Sequence, residues 1–279
     1  MESHIWLDRS KVSLDKRYKG VLFSRFPDSL NDYLHHWTSQ LIIEHITGKD
    51  GAILDIGCGY GRLSSIIRER FPGPLLIGLD ISPTYTREFL ENVRNGFSVL
   101  SNSVHLPFKK KRFDVIFEVF SLMYLPDKKT YQAAIREMLS SLKDEGTVLI
   151  IENNKVGTYF LNGFGILSFL SRIIRRGESL RTKGLLFHYF EIDKMVRQNR
   201  CVVVKKVGMP LFTLMIPLNV LLGCLSATLV DRCLSLIHLL DPKLQFMNFL
   251  SLYQFYLIKK TGTGTAEDPA RSSRSTKGS

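Results

Sequence analysis

Five short apolar runs recur through the first half of the chain: Ala52–Ile56, residues 75–81, Phe97–Leu100, Phe113–Val119 and residues 147–151. Several are apolar at consecutive positions rather than at alternate ones, as strands buried on both faces are. Between them, residues 63–71, 84–94 and 128–142 repeat apolar side chains at helical spacing. Pro72-Gly73-Pro74, Asn95-Gly96 and Asp144-Glu145-Gly146 punctuate the series as turns. The rhythm predicts βαβ units, and so a mostly parallel sheet with helices on both faces. Upstream, residues 29–46 form a helical pattern with Leu30, Tyr33, Leu34, Trp37 and Leu41 on one face.

Past Ile151 the rhythm loosens. Residues 157–171 are apolar and aromatic, and residues 172–183 are strongly basic. Residues 190–199 read as a helix and 201–207 as a strand. A long apolar stretch, 211–240, precedes a last strand over 252–258. The tail from Thr261 to Ser279 is rich in Gly, Ser and Thr, and disorder is expected there. The expected layout is an N-terminal helical lid or substrate segment (1–50), a nucleotide-type core (51–153), acceptor-side helices with the last two strands (154–260), and a tail (261–279). The expected fold is a Rossmann-like α/β sheet of seven strands with a helical insertion between the last two.

Composition narrows the class. The chain of 279 residues is 44% apolar and 23% charged, close to a globular average, which excludes a wholly disordered, collagen-like or coiled-coil protein. The four cysteines, Cys58, Cys201, Cys224 and Cys233, form no C-x-x-C pair and no metal pattern. Reduced thiols and a cytoplasmic location are expected, with no metal. The opening Met-Glu-Ser-His-Ile-Trp has no basic segment followed by an apolar one, so no secretory leader is expected.

The chemistry concentrates at Asp55-Ile56-Gly57-Cys58-Gly59-Tyr60-Gly61, where a strand runs through a glycine turn into a helix. Glycines let a ligand approach the backbone, and the helix start offers free N–H groups. The dinucleotide pattern G-x-G-x-x-G would need a third glycine at position 62, which is Arg62. Asp80 closes the second strand, 21 residues after Gly59, and an acid there accepts hydrogen bonds from a ribose diol. A cofactor with a free ribose and no pyrophosphate fits both features.

With Gly78-Leu79-Asp80-Ile81-Ser82, Asn102-Ser103-Val104-His105-Leu106-Pro107-Phe108, Arg112-Phe113-Asp114-Val115-Ile116 and Leu125-Pro126-Asp127 in order, residues 51–151 resemble the class I S-adenosylmethionine-dependent methyltransferases of the small-molecule type. The resemblance implies that Gly57, Cys58, Gly59 and Gly61 hold the methionine part of the cofactor, with Asp55 near its ammonium. Asp80 would bind the ribose, Ile81 would pack on the adenine, and Asn102 and Ser103 would meet the ring. Asn102 stands where the family usually has Asp. Glu118, with Val119, would line the methionine side. A His or Tyr precedes the helix before the sixth strand in many relatives, which makes His188 the candidate base or acceptor contact. Glu152 and Asn153 at the fifth strand's end, Tyr124, and Trp37 on the N-terminal helix are candidate acceptor-pocket residues.

The acceptor class follows from where charge lies. The formal charge is +12, which suits nucleic acid, an anionic membrane surface or an acidic substrate. Residues 51–150 carry 13 basic and 11 acidic groups, whereas residues 151–210 carry 11 and 4. The excess therefore sits on the acceptor side, beside residues 207–230, which hold 24 positions without a charge. Pro210, Pro217, Asn219 and Gly223 interrupt that run, and a membrane crossing between two strands of one sheet would destroy the sheet. It is expected either to pack on the domain or in a homodimer interface, or to lie in an anionic lipid interface. Where amino-methyltransferases of nucleic acid often carry a Pro-Pro motif, this chain reads Glu118-Val119-Phe120-Ser121, which argues against nucleic acid. The expected activity is O-methylation, or C-methylation, of a small or lipid-linked acceptor at a membrane surface. The alternatives are methylation of RNA or protein, and a non-catalytic S-adenosylmethionine-binding scaffold on the membrane.

Overall fold

The computed structural model describes residues 28–46, 51–158, 184–209 and 226–261. The runs predicted as strands all join one sheet: β1 (Ala52–Ile56), β2 (Leu75–Asp80), β3 (Phe97–Leu100), β4 (Phe113–Val119), β5 (Leu142–Asn153), β6 (Cys201–Met209) and β7 (Tyr253–Lys260). Their order is β3-β2-β1-β4-β5-β7-β6. β1 to β5 run parallel, and β7 runs antiparallel between β5 and β6. The order reverses between β1 and β4, so their carboxyl ends open the crevice where open α/β sheets bind ligands.

Alternate strand residues feed two cores. Ile53, Phe117, Leu149, Ile151 and Phe255 pack with α1 (Asp28–Ile43), α2 (Arg62–Arg70) and α3 (Pro83–Asn92). Leu54, Ile116, Val148, Ile150 and Tyr256 pack with α4 (Lys128–Ser141) and α5 (Glu191–Arg197) on the other face. This is the helices-on-both-faces arrangement that consecutive apolar strands demand. Ser82 and Asp127 cap α3 and α4 by accepting the Tyr85 and Thr130 amides.

The helix ends agree with the sequence pattern within two residues, except that α1 stops at Ile43 rather than at 46. β5 does not. It begins at Leu142 rather than at 147, because the Phe113/Val115 register shift admits Asp144-Glu145-Gly146 as a bulge inside the strand instead of a turn before it. Between β6 and β7 lie α6 (Ala227–Leu240), which packs on α1, and a 3₁₀ segment (Asp241–Leu250). The basic stretch 172–183, most of the uncharged run 207–230 and the tail from 262 lie outside the described residues. No helix among the described residues is long and apolar enough to cross a membrane.

Candidate functional site

The glycine turn after β1 is fastened to β2. The Gly57 and Cys58 amides donate to the Leu79 carbonyl at 2.7 and 3.0 Å, and the Gly61 amide closes the turn onto the Cys58 carbonyl at 3.0 Å. The Gly59 amide donates to Asp80 Oδ2 at 3.0 Å, and the Ser82 amide donates to Asp80 Oδ1 at 2.9 Å. Asp80 is thus held at the turn by two backbone donors. Burial nevertheless raises its carboxyl above the usual range, more than these bonds lower it. Gly59 lies in the left-handed region at φ 54°, and a side-chain carbon there would meet nothing within 4 Å among the described residues. Its backbone therefore borders open space beside Asp80. Ile81, next along the chain, leaves 67% of its surface exposed. An apolar side chain that bare, beside an acid and a glycine turn, suits the face of a flat ring.

Asn102 and Ser103 occupy the loop after β3, on the same edge. Asn102 is exposed, and its Oδ1 accepts the Val104 amide at 3.0 Å, which fixes the loop as an Asx turn. α2 starts without a side-chain cap, leaving its first amides to a ligand or to water.

Beneath the turn lie buried acids. Asp55 Oδ2 accepts the Ser64 hydroxyl at 2.7 Å. Burial pushes its pKa up to about 7, against the pull of Ser64 and Arg62, with Asp80 and Glu118 adding to the rise. Glu118 Oε1 accepts the Ser121 and Leu122 amides at 2.6 and 2.9 Å, and the Ser121 hydroxyl at 2.9 Å. Its other oxygen, both oxygens of Glu152 and the Tyr131 hydroxyl are buried without a hydrogen bond of ordinary geometry among the described residues. Desolvation raises both glutamates, and Glu118 raises Glu152 further. Orphaned buried oxygens at a sheet's ligand edge mark where a proton or a donor is wanted. Tyr131 reads in the sequence only as the core face of a helix, so its approach to these acids has no sequence signal.

Asp55 has a consequence for stability. Below about pH 4 it is protonated folded or unfolded. Between there and about 7 the unfolded chain ionises while the folded one keeps its proton, so stability falls as pH rises and the loss is complete above 7. The melting temperature is expected to drop by on the order of 5 °C between pH 5 and pH 8, and Asp55→Asn to flatten part of that slope. An equal slope in the variant removes Asp55 as a cause.

The acceptor-side candidates gather at the carboxyl end of β5. Asn153 Nδ2 lies 3.0 Å from Met123 Sδ, in the 3₁₀ turn Leu122–Tyr124 that carries half-buried Tyr124. His188 is exposed, with Nε2 3.1 Å from Lys155 Nζ and its amide donating to Glu191. Trp37, on α1, is partly buried against the same core as Tyr124. α1 is latched to the start of α2, where the Arg62 guanidinium meets His35 Nδ1 at 2.5 Å. Burial, then Arg62, lowers His35 to about 4, so it is neutral and accepts.

Residues 53–146 match the family described as a methyltransferase domain. A ubiquinone/menaquinone biosynthesis C-methyltransferase from Wigglesworthia glossinidia brevipalpis is 30% identical over 158 residues, 51% of this chain and 61% of that protein. A malonyl-[acyl-carrier protein] O-methyltransferase from Ilyobacter polytropus is 28% identical over 153 residues, 53% of this chain and 56% of that protein. The chain thus spans less than two thirds of the length of these curated relatives. Among solved structures, magnesium protoporphyrin IX methyltransferase from Synechocystis, with bound S-adenosylhomocysteine, superposes with a TM-score of 0.55 at 14% identity, over 92% of this chain and 94% of that one. The glycine turn and the β2 acid lie inside the stretch, residues 53–146, that matches the methyltransferase-domain family, and the sheet shares its fold with the solved methyltransferase.

Proposed function

We propose that the chain binds S-adenosylmethionine at the carboxyl ends of β1, β2 and β4 and methylates a small or lipid-linked acceptor at the end of β5, beside a membrane surface. The observation that carries the cofactor reading is the open backbone at Gly59 fastened to Asp80. Asp80 would take the ribose hydroxyls, Ile81 the adenine face, and the uncapped start of α2 a carboxylate. Asn102 and Ser103 would border the ring, and Glu118 and Asp55 the ammonium end. When bound, the cofactor supplies an electrophilic methyl group on a sulfonium.

The chain's own task is then to align the acceptor and keep water out. Oxygen is the acceptor atom we favour, with carbon next. An O–H acceptor gives up a proton, and Glu118 and Glu152 bring raised, under-bonded carboxyls to this end of the sheet. The relatives cited above carry names for both C- and O-methylation. Titration calorimetry of the purified chain with S-adenosylmethionine tests the reading: saturable binding supports it, and no heat at millimolar cofactor sinks it.

His188 would contact the acceptor rather than remove its proton, since it is exposed and its Nε2 faces the Lys155 ammonium. His188→Ala is expected to lower kcat/KM by about tenfold, mostly through KM. A kcat loss of about a thousandfold at unchanged KM would make it a base instead.

A further inference from the structure

We infer that Glu118 and Glu152 share a single proton, carried by Glu152, and that the pair positions the turn Leu122–Tyr124 at the acceptor end of the sheet; this deepens the methyltransferase reading above and rests on it. Glu118 lies opposite Ile150 on β5, and Glu152 lies opposite Gln254 on β7. Alternate residues of a strand share a face, so both glutamates and Gln254 point to the side that α4 covers. Both glutamates are fully buried, and neither forms an ion pair among the described residues.

Hydrogen bonding decides which of the two is charged. Glu118 Oε1 takes three donors, the Ser121 amide and hydroxyl and the Leu122 amide, and a carboxylate so supplied keeps its charge. The Met123 and Asn153 amides and the Tyr131 hydroxyl approach Glu152, none of them in the geometry of an ordinary hydrogen bond. On either side of Glu152 stands a buried acceptor without a donor among the described residues, Glu118 Oε2 and Gln254 Oε1. The Gln254 amide cannot turn round to donate, because its Nε2 already serves the Asn248 carbonyl and the Ser251 hydroxyl. A carboxylate between two bare acceptors would leave every oxygen there unsatisfied. A proton makes Glu152 a donor instead, and the charged Glu118 Oε2 is the stronger acceptor of the two. Burial holds the Tyr131 hydroxyl protonated, so it supplies a donor for the Glu152 oxygen that remains. Of the other titratable groups, Asp55 on β1 faces Glu118 and has its own donor in Ser64, and Tyr256 on β7 faces Glu152. Burial raises both glutamates, and the charge of Glu118 raises Glu152 further, in the order this assignment needs.

The charge kept on Glu118 holds the turn. Ser121 and Leu122, whose amides it binds, lead directly into Met123 and Tyr124. The Met123 sulfur in turn meets Asn153 Nδ2 at 3.0 Å, so the turn joins the ends of β4 and β5. Were Glu152 unable to donate, Glu118 Oε2 would stay bare and burial would drive the proton onto Glu118 itself. A neutral Glu118 accepts amides more weakly than a charged one. Glu152 therefore acts on the acceptor pocket through Glu118, as a positioning residue.

Infrared difference spectroscopy of the full chain at about pH 8, wild type minus Glu152→Gln, reads the proton directly, since an ordinary glutamic acid is ionised there. The difference is expected to show the carbonyl band of a single protonated carboxyl, while Asp55 and Asp80, present in both chains, cancel. A difference spectrum without that band overturns the inference. Hydrogen exchange of the Ser121 and Leu122 amides reads the turn. Glu152→Gln keeps a neutral donor beside Glu118, so both amides should exchange within about twofold of wild type. Glu152→Leu removes the donor at similar size and should speed both by at least about tenfold. Equal exchange in the two variants overturns the positioning role. Exchange about tenfold faster in Glu152→Gln than in wild type also overturns it, whether or not Glu152→Leu folds. Absence of S-adenosylmethionine binding in the wild-type chain would sink the methyltransferase reading alone, leaving the shared proton to the spectra.

Discussion

Asp80→Ala weakens S-adenosylmethionine binding by at least about a hundredfold in calorimetry. Each hydrogen bond to a carboxylate contributes roughly 1.5–3 kcal/mol. Asp80 has two tasks at one place. It accepts the Gly59 amide at 3.0 Å, which holds the turn against β2, and the resemblance assigns it the ribose. Removing the carboxylate releases the turn and the ligand together. Burial raises Asp80 above the usual carboxylate range, which offsets part of what its backbone bonds contribute in the free state. Asp80→Asn keeps one acceptor oxygen and is expected to cost only about tenfold. Binding unchanged in Asp80→Ala would remove the crevice between β1 and β2 as the cofactor site.

Much of this was legible in the sequence because burial writes itself into the pattern. The strands β1, β2 and β4 are covered on both faces, so their apolar runs are continuous and their ends mark the ligand edge. The glycine turn and Asp80 were legible for a related reason: a ligand that touches backbone restricts residue type at fixed spacing. What was not legible depends on tertiary neighbours. Ser121 is a plain serine after a strand, yet its amide and hydroxyl bind Glu118, 3 residues before it. The Arg62–His35 latch joins positions 27 apart that no periodicity relates. Asn154 and Gln245 pin the 3₁₀ segment by side-chain bonds to backbone, and amides in loops carry no such signal. The long β5 was missed because a bulge hides a strand behind turn residues. Glu118 and Glu152 could be read as costly charges in apolar strands, but their mutual approach under Tyr131 could not.

Gly57→Ala and Gly59→Ala separate packing from ligand space at the turn. Both positions have positive φ, 67° and 54°, so each alanine meets a similar left-handed penalty of about 1 kcal/mol. Beyond that they differ. At Gly57 the new carbon would stand 2.2 Å from Ser121 Cβ and 2.5 Å from its hydroxyl. Ser121 cannot yield freely, because its hydroxyl lies 2.9 Å from the Ile56 carbonyl and its amide feeds the buried Glu118 carboxylate. Overpacking costs about 1–3 kcal/mol, and stripping a donor from a buried carboxylate about as much again. Gly57→Ala is therefore expected to lower stability by about 3–5 kcal/mol in chemical denaturation, with cofactor binding lost through the misplaced turn. At Gly59 the added carbon meets nothing within 4 Å among the described residues. Gly59→Ala should keep the fold within about 1 kcal/mol of wild type. It should still lose most of its affinity for S-adenosylmethionine, because the methyl group projects into the space the ligand needs. Equal stability losses in the two variants would show that backbone strain alone dictates glycine here. Undiminished binding in Gly59→Ala would place the ligand elsewhere.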